Sequence, residues 1–522
     1  MAWLLALLAP CLVTAAEPLI YGSDFAAGPS GFSVQWTGSG QLQGRLDPTR
    51  RDPGGAPSWR TEAPVLSKGT VGVGLQVPAQ RTWRVEFLAA ATIDQGSLSA
   101  NLQCFDAAGK QVDWITLTGI RNSEAFERQT AIVTVPAACH RLNLLFLHEM
   151  KGTSWIAAVR ITPFEVTPAM EAQLRASGPT RWGATGYLRA SDPTLRDTGA
   201  KLLVTAGVTH TRLGLDWRRA EATYGRFDLS SLQESLASLE RYGARADVVF
   251  LHGTPTWASG KSPEDLSAER RAQPWLAQRA FFPPRDWADW ERFVRVVVTA
   301  FKGRVPAWEI MNEPDLWSEG FCGEYEDYVQ YLTRASRVIR EVDPRAKVCL
   351  AAFVFDVWLK QIMADGLASH YDAVCIHPYH SEPAGTLSRA RKAQLQMLAA
   401  DALKPLLITE IGYQSGGWKE GPGVKADEAA KAAAGREALA ALATVSDLVT
   451  WYTAIEKGNM YGLLRDGTDR YDPMPIYFDY GRLSGALRED APVVASVEAP
   501  ARLAPGQAGQ VVLRATNRSD QP

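Results

Sequence analysis

The chain has 522 residues, 46% of them hydrophobic and 21% charged, which is the balance of a globular protein too long for one core. Its 55 basic and 57 acidic residues leave a formal net charge of −2, which argues against nucleic acid or an anionic membrane surface as the main partner. Six scattered cysteines form no Cys-x-x-Cys pair and no His/Cys cluster, so neither a disulfide framework nor a structural zinc site is expected.

The chain opens MAWLLALLAPCLVTAAEP, an apolar run that ends in small residues. It reads as a signal peptide over residues 1–16 with an uncharged n-region, since no Lys or Arg precedes Arg45. The run is short for a transmembrane helix, so a secreted, periplasmic or cell-surface protein without a transmembrane span is expected. Cys11 would leave with the leader. Cys104 and Cys139 could then pair, or serve as small buried hydrophobes.

Residues 17–168 read as short strands: WRVEFLAAATI, LSANLQCFD, QTAIVTVP, RLNLLFLHEM and TSWIAAVRITPF, with a turn at DAAGK. No long helical period interrupts them, and the spacing predicts an antiparallel β-sandwich.

From 175 to 487 the rhythm becomes strand, helix, strand, helix. THTRLGLDW, ADVVFLHGTPTW, VPAWEIMNEP, KVCLAAFVF, DAVCIHPYH, KPLLITEIGY and SDLVTWYTAI, with a strand near Arg181, make eight strands. Between them, Trp287, Trp290, Phe293, Val294, Val297 and Phe301 share one helical face. The length and alternation predict an α/β fold of the (β/α)8 barrel type. A doubly wound sheet would want a Gly-rich phosphate loop after an early strand, and none is present. Residues 490–522 contain two short strands with Pro/Gly turns, the start of a further β-sandwich module or a β-rich tail.

Function in such a barrel sits at the strand ends. Arg212, His252, Asn312, Glu313, His377, Tyr379, Glu410, Trp451 and Tyr452 fall there. Glu313 and Glu410 are the acids placed directly at the ends of strongly apolar strands. They are 97 positions apart, yet both would face one bowl. Two carboxylates facing one bowl can cleave a glycosidic bond, one protonated as the acid and one ionised as the nucleophile. Asn312 can bond a sugar 2-hydroxyl. Arg212 and Tyr379 can hold Glu410 ionised. Trp451 or Tyr452 can floor the site, and since neighbours on a strand point to opposite sides, only one of them can. A solvated surface glutamate is the bland reading of either acid taken alone.

On these words the barrel resembles the clan A retaining glycoside hydrolases, and most of all family 39 with its bacterial exopolysaccharide endoglycosidases. The words that carry the resemblance are TRLGLDWRRAEATYGRFDLSSL, FFPPRDWADWERFV, PAWEIMNEPDLW, IHPYH, LLITEIGY and YGLLRDGTDRYDPMPIYFDY, spread over about residues 180 to 487. The resemblance implies Glu313 as acid/base, Glu410 as nucleophile and Asn312 at the 2-hydroxyl. It places His377 and Tyr379 around the cleaved bond and Arg212 behind the nucleophile. It implies an O-glycosyl hydrolase of polysaccharide or oligosaccharide, a chemistry that needs no metal or organic cofactor. The sandwich resembles the jelly-roll carbohydrate-binding modules of many glycosidases, and a sandwich that only packs fits the pattern equally. Aromatics in the loops, Trp275, Trp317, Phe321 and Trp418, suit an endo-acting cleft, and loop packing is the alternative reading of the same residues. Trp308, Met311 and Trp317 are expected around Glu313, favouring its protonated form. A non-catalytic carbohydrate-binding scaffold and a transglycosylase are the alternatives.

Overall fold

A computed structural model describes residues 19–79, 81–185, 192–266, 268–354, 357–415, 427–456, 460–466, 471–487, 494–498 and 512–515. The predicted leader lies outside them. Two compact units divide the chain, 1–167 and 168–522. Among the described residues no helix is long and apolar enough to cross a membrane.

Among the described residues the first unit contains eight strands: β1 (Tyr21–Ser23), β2 (Ser33–Ser39), β3 (Gln43–Arg51), β4 (Pro57–Gln76), β5 (Thr82–Phe105), β6 (Gln111–Ile120), β7 (Ser123–Thr134) and β8 (Arg141–Pro163). All their pairings are antiparallel. The order is β2-β4-β8-β5-β6, with β1 on β8, β3 on β4 and β7 on β5. β7 pairs with the first half of β5 and β6 with the second, and Ile115 and Leu117 of β6 share one apolar core with Ala131 and Val133 of β7.

Here the sequence reading is corrected in one respect. WRVEFLAAATI and LSANLQCFD are not two strands but one, β5, and RLNLLFLHEM and TSWIAAVRITPF are likewise joined in β8. The joints are glycines that hide the continuity. Gly96 (φ +89) and Gly152 (φ +147) sit where β5 and β8 slip register, and a Cβ there would lie 2.0 Å from the Glu149 carbonyl and 2.1 Å from that of Thr92. Cys104 and Cys139 are free thiols, both buried in this core.

The second unit holds a closed parallel barrel. Its strands are β9 (Arg181–Thr185), β10 (His210–Asp216), β11 (Arg245–His252), β12 (Ala307–Ile310), β13 (Lys347–Leu350), β14 (Ala373–Ile376), β15 (Leu406–Ile411) and β16 (Leu448–Trp451). Consecutive strands pair in parallel and β16 closes on β9. The strands are short, apolar and buried on both faces, as parallel strands under helices must be. Val248, Ala307, Cys349, Ala352, Ala373, Cys375, Leu407 and Leu448 fill the barrel interior. A larger shell packs strands against helices, and it includes the predicted stripe of Trp290, Phe293, Val294 and Val297 on the helix Trp287–Ala300, with Phe301 just past its end. Asp286 caps that helix, accepting from the Ala288 amide at 2.8 Å.

Two smaller sheets follow the barrel strands in the chain. One consists of β17 (Ile455–Glu456), β18 (Leu464–Asp466) and β19 (Tyr471–Pro473). The other is the antiparallel pair β20 (Val494–Glu498) and β21 (Val512–Ala515), the β-rich segment expected at the C-terminus.

Candidate active site

Arg212 organises the barrel mouth. It lies in the middle of β10, 2% exposed. Its Nε and Nη2 donate to both oxygens of Glu309, at 2.6 and 3.0 Å. Its Nη1 donates to Glu410 Oε1 at 2.7 Å, and Nη2 also reaches Asn312 Oδ1 at 2.8 Å. A buried guanidinium needs this much: its charge is balanced by carboxylates and its fork is matched bidentately. Glu309 escaped the sequence reading. Its signal was an acid in the middle of the apolar word AWEI, where only a buried cation could make it tolerable.

β12 ends at Ile310, four residues before Pro314. The chain then turns through Met311 (φ +74) and Glu313 (φ +40), both in the left-handed region and neither a glycine. Such conformations cost on the order of 1–3 kcal/mol and cluster at functional sites. The turn buries Glu313 to 8% exposure. Its Oε1 lies 2.6 Å from His377 Nδ1. Burial first, then the Glu319 carboxylate, pushes the Glu313 carboxyl up to about 8. Trp308 packs in the shell between strands and helices rather than around the acid. The Trp317 side chain lies outside the described residues, and its backbone opens the short turn Trp317–Glu319.

Glu410 sits near the end of β15. Burial raises its carboxyl too, and the Arg212 guanidinium and the Tyr379 hydroxyl offset only part of that rise. Tyr379 donates to Glu410 Oε2 at 3.0 Å. Glu410 therefore accepts from a cation and a phenol, whereas Glu313 faces a ring that burial keeps neutral, with the His377 imidazole held down to about 4. The other ring nitrogen of His377 lies 3.1 Å from Thr409 Oγ1, which gives the threonine of the word TE a partner. One oxygen from each glutamate and Nδ1 or Nε2 of His377 all lie within 4.8 Å of one another. Those three groups are also a donor set suited to a divalent cation. The Arg212 charge competes for Glu410 there, and His377 is already bonded to Glu313.

Of the remaining predicted residues, Asn312 lies just beyond β12, bonded to Arg212. Its Nδ2 lies 3.5 Å from Glu319 Oε2, and Glu319 in turn is 3.4 Å from Arg279 Nη1. Tyr452 and Trp451 part company. Tyr452 faces the site, with its ring centroid 6.4 Å from that of Tyr379. Trp451 is a correction: it is fully buried on the opposite side of β16, against Gly435, and donates through Nε1 to the Tyr461 carbonyl at 2.9 Å. Alternation along the strand forces that separation. Phe321 is also no subsite residue, being buried beside Phe281 and Tyr331. The Trp275 side chain and Trp418 lie outside the described residues. His252 ends β11 with its ring against Phe281 and is not in the hydrogen-bonded set around the two glutamates.

No protein-family model and no curated protein matches the chain. Among solved structures its neighbours are family 39 glycoside hydrolases and other glycosidases. A family 39 glycoside hydrolase from Bacteroides cellulosilyticus WH2 shares 16% identity, with a TM-score of 0.46 over 76% of this chain and 79% of that one. A monomeric beta-xylosidase from Caulobacter crescentus CB15 shares 17%, with a TM-score of 0.46 over 59% of this chain and 69% of that one. The CBM22-1–GH10 modules of Clostridium thermocellum endo-1,4-beta-D-xylanase 10B share 11%, with a TM-score of 0.41 over 90% and 98%. The roles of individual residues rest on the geometry above.

Proposed function

We propose that the barrel is a retaining glycoside hydrolase acting on β-glycosidic bonds of a polysaccharide. The observation that carries the reading is the pair of carboxylates with unequal partners: oxygens of Glu313 and Glu410 within 4.8 Å of each other, only the latter hydrogen-bonded to a guanidinium. Retaining enzymes hold their carboxyl groups ~5–5.5 Å apart, whereas inverting enzymes leave ~6.5–9.5 Å for a water.

In this reading Glu313 gives its proton to the glycosidic oxygen while ionised Glu410 attacks the anomeric carbon and forms an ester. The C–O bond to the leaving sugar breaks, and its electron pair takes the proton. Glu313 is then ionised, and its Oε1 keeps the bond it accepts from His377 Nδ1–H throughout, while Nε2 accepts from the Thr409 hydroxyl. In the second half Glu313 takes a proton from water. The oxygen of that water attacks the anomeric carbon and releases Glu410. Asn312, oriented by Arg212 and Glu319, offers Nδ2–H to the 2-hydroxyl, a bond that tightens in the oxocarbenium-like transition state. The segment between β11 and β12, with its helices Thr256–Ser259, Ala268–Arg271 and Pro274–Arg279, supports a walled cleft and internal cleavage. Export to the cell exterior is the location we assign, on the leader-like N-terminus.

The test is turnover of aryl β-glycosides and polysaccharides by wild type, Glu313→Gln and Glu410→Gln. Glu410→Gln should lose activity on every substrate. Glu313→Gln should keep it where the leaving group needs no proton. A wild type that cleaves nothing but binds a glycan would replace this reading with a scaffold, and oligosaccharide products absent from a polymer digest would remove internal cleavage.

A further inference from the structure

Three consecutive carbonyls beyond β16 are each held from behind. The Ser415 amide donates to Met460 O at 3.2 Å, Trp451 Nε1 to Tyr461 O at 2.9 Å, and Lys431 Nζ to Gly462 O at 2.9 Å. Trp451 is fully buried and Lys431 is 1% exposed, with Glu428 and Glu456 at 3.4 and 3.7 Å from its ammonium. Burying an ammonium is costly, and anchoring one turn is what this one does. The anchored turn presents the half-buried ring of Tyr461. Its centroid is 5.3 Å from Tyr452 and 6.3 Å from Tyr379. Gly412, two residues after Glu410, makes the approach possible, since a Cβ there would lie 2.9 Å from the Tyr461 ring and 2.2 Å from Tyr452 O.

Position decides what this wall can touch. Glu410 Oε1 shares Arg212 with Asn312, and Oε2 takes Tyr379. Tyr379 therefore bonds the nucleophile's other oxygen from the one that shares Arg212 with Asn312, and Tyr452 and Tyr461 stand against Tyr379. An anomeric carbon has two ring neighbours, C2 and the ring oxygen. With C2 turned to Asn312, the ring oxygen and C5 turn toward the tyrosines.

We propose that Tyr461 is a specificity-determining residue, whose anchored ring limits the substituent on C5 of the sugar held at Glu410 and so sets the choice between pentosides and hexosides. This rests on the glycosidase reading. Shape selection of this kind, over a group about the size of a hydroxymethyl, is worth roughly 10–200-fold in kcat/KM.

The experiment measures kcat/KM of wild type, Tyr461→Ala and Tyr461→Phe on matched aryl β-xylopyranoside and β-glucopyranoside. Tyr461→Ala should move the ratio toward the hexoside by at least about tenfold, and Tyr461→Phe, which keeps the ring, should leave it within about threefold. A ratio unchanged in Tyr461→Ala, or moved toward the pentoside, overturns the proposal while wild-type turnover keeps the glycosidase reading intact. If wild type cleaves no glycoside at all, the glycosidase reading falls and takes this proposal with it.

Discussion

His377 Nδ1 lies 2.6 Å from Glu313 Oε1 and 3.8 Å from Glu410 Oε2. One neutral ring thus touches the acid and borders the nucleophile. Its Nδ1–H can donate to Glu313 Oε1 whether that carboxyl is ionised or holds its proton on the other oxygen, while Nε2 accepts from Thr409, so the ring keeps one tautomer and no charge. Arg212 supplies the fixed charge and is bonded to Glu410, not to Glu313.

The pH dependence follows. Glu313 must be protonated and Glu410 ionised, so kcat/KM should be bell-shaped. The alkaline limb belongs to Glu313 and should fall near pH 8, and the acid limb should lie above the ordinary carboxylate value of 4.5. The groups facing Glu313 are His377, Glu410, Arg212, Glu309 and Glu319. Glu319→Gln removes one negative charge from that set, so the alkaline limb should move to lower pH while the acid limb stays. An alkaline limb unmoved in Glu319→Gln would show that its carboxylate does not act on Glu313.

Stability should respond to the same proton. The Glu313 carboxyl rises from 4.5 in the unfolded chain to about 8 in the fold. A raised carboxyl favours the folded state fully below the unfolded value and loses that contribution as pH rises through the folded one. Glu313→Gln, which keeps a neutral amide, should therefore melt higher than wild type at pH 9, by at least about 2 °C, and show a smaller difference at pH 4. Equal melting curves at pH 9 would contradict a buried, proton-holding Glu313.

Arg212 and Glu309 form a buried bidentate pair, so removing one partner strands a charge. Arg212→Met should cost about 3–5 kcal/mol in denaturant unfolding. Adding Glu309→Leu to that variant should recover much of the loss, since an apolar pair of similar volume needs no counter-charge. A single variant within about 1 kcal/mol of wild type would show that the pair is not the anchor of the mouth.

Asn312→Ala should lower kcat/KM on ordinary glycosides on the order of 10²-fold, through loss of one transition-state hydrogen bond. The same substitution should leave 2-deoxy glycosides nearly untouched. Equal losses on both would place Asn312 elsewhere than at the 2-hydroxyl.

Much of this was legible in the residues. Glu313 and Glu410 stand out because each follows an apolar strand, and in a barrel such ends converge. The helix Trp287–Ala300 was readable from its 3–4 spacing. The choice between Trp451 and Tyr452 was not, because alternation separates the two without saying which faces the bowl. Glu309 was hidden inside its strand, where its meaning depends on Arg212 across the barrel. Glu319 and Tyr461 lie in turns, where no period exists and position is fixed by distant anchors such as Arg279, Trp451 and Lys431. The two long bent strands of the sandwich looked like four because glycines mark bulges as readily as turns.

The most direct test of the central claim is the anomeric configuration of the first-formed product, followed by proton NMR during turnover of an aryl β-glycoside. Double displacement through Glu410 predicts that the β-anomer appears first and then mutarotates. An α-anomer formed first would mean single displacement by water and would contradict the roles assigned to Glu313 and Glu410.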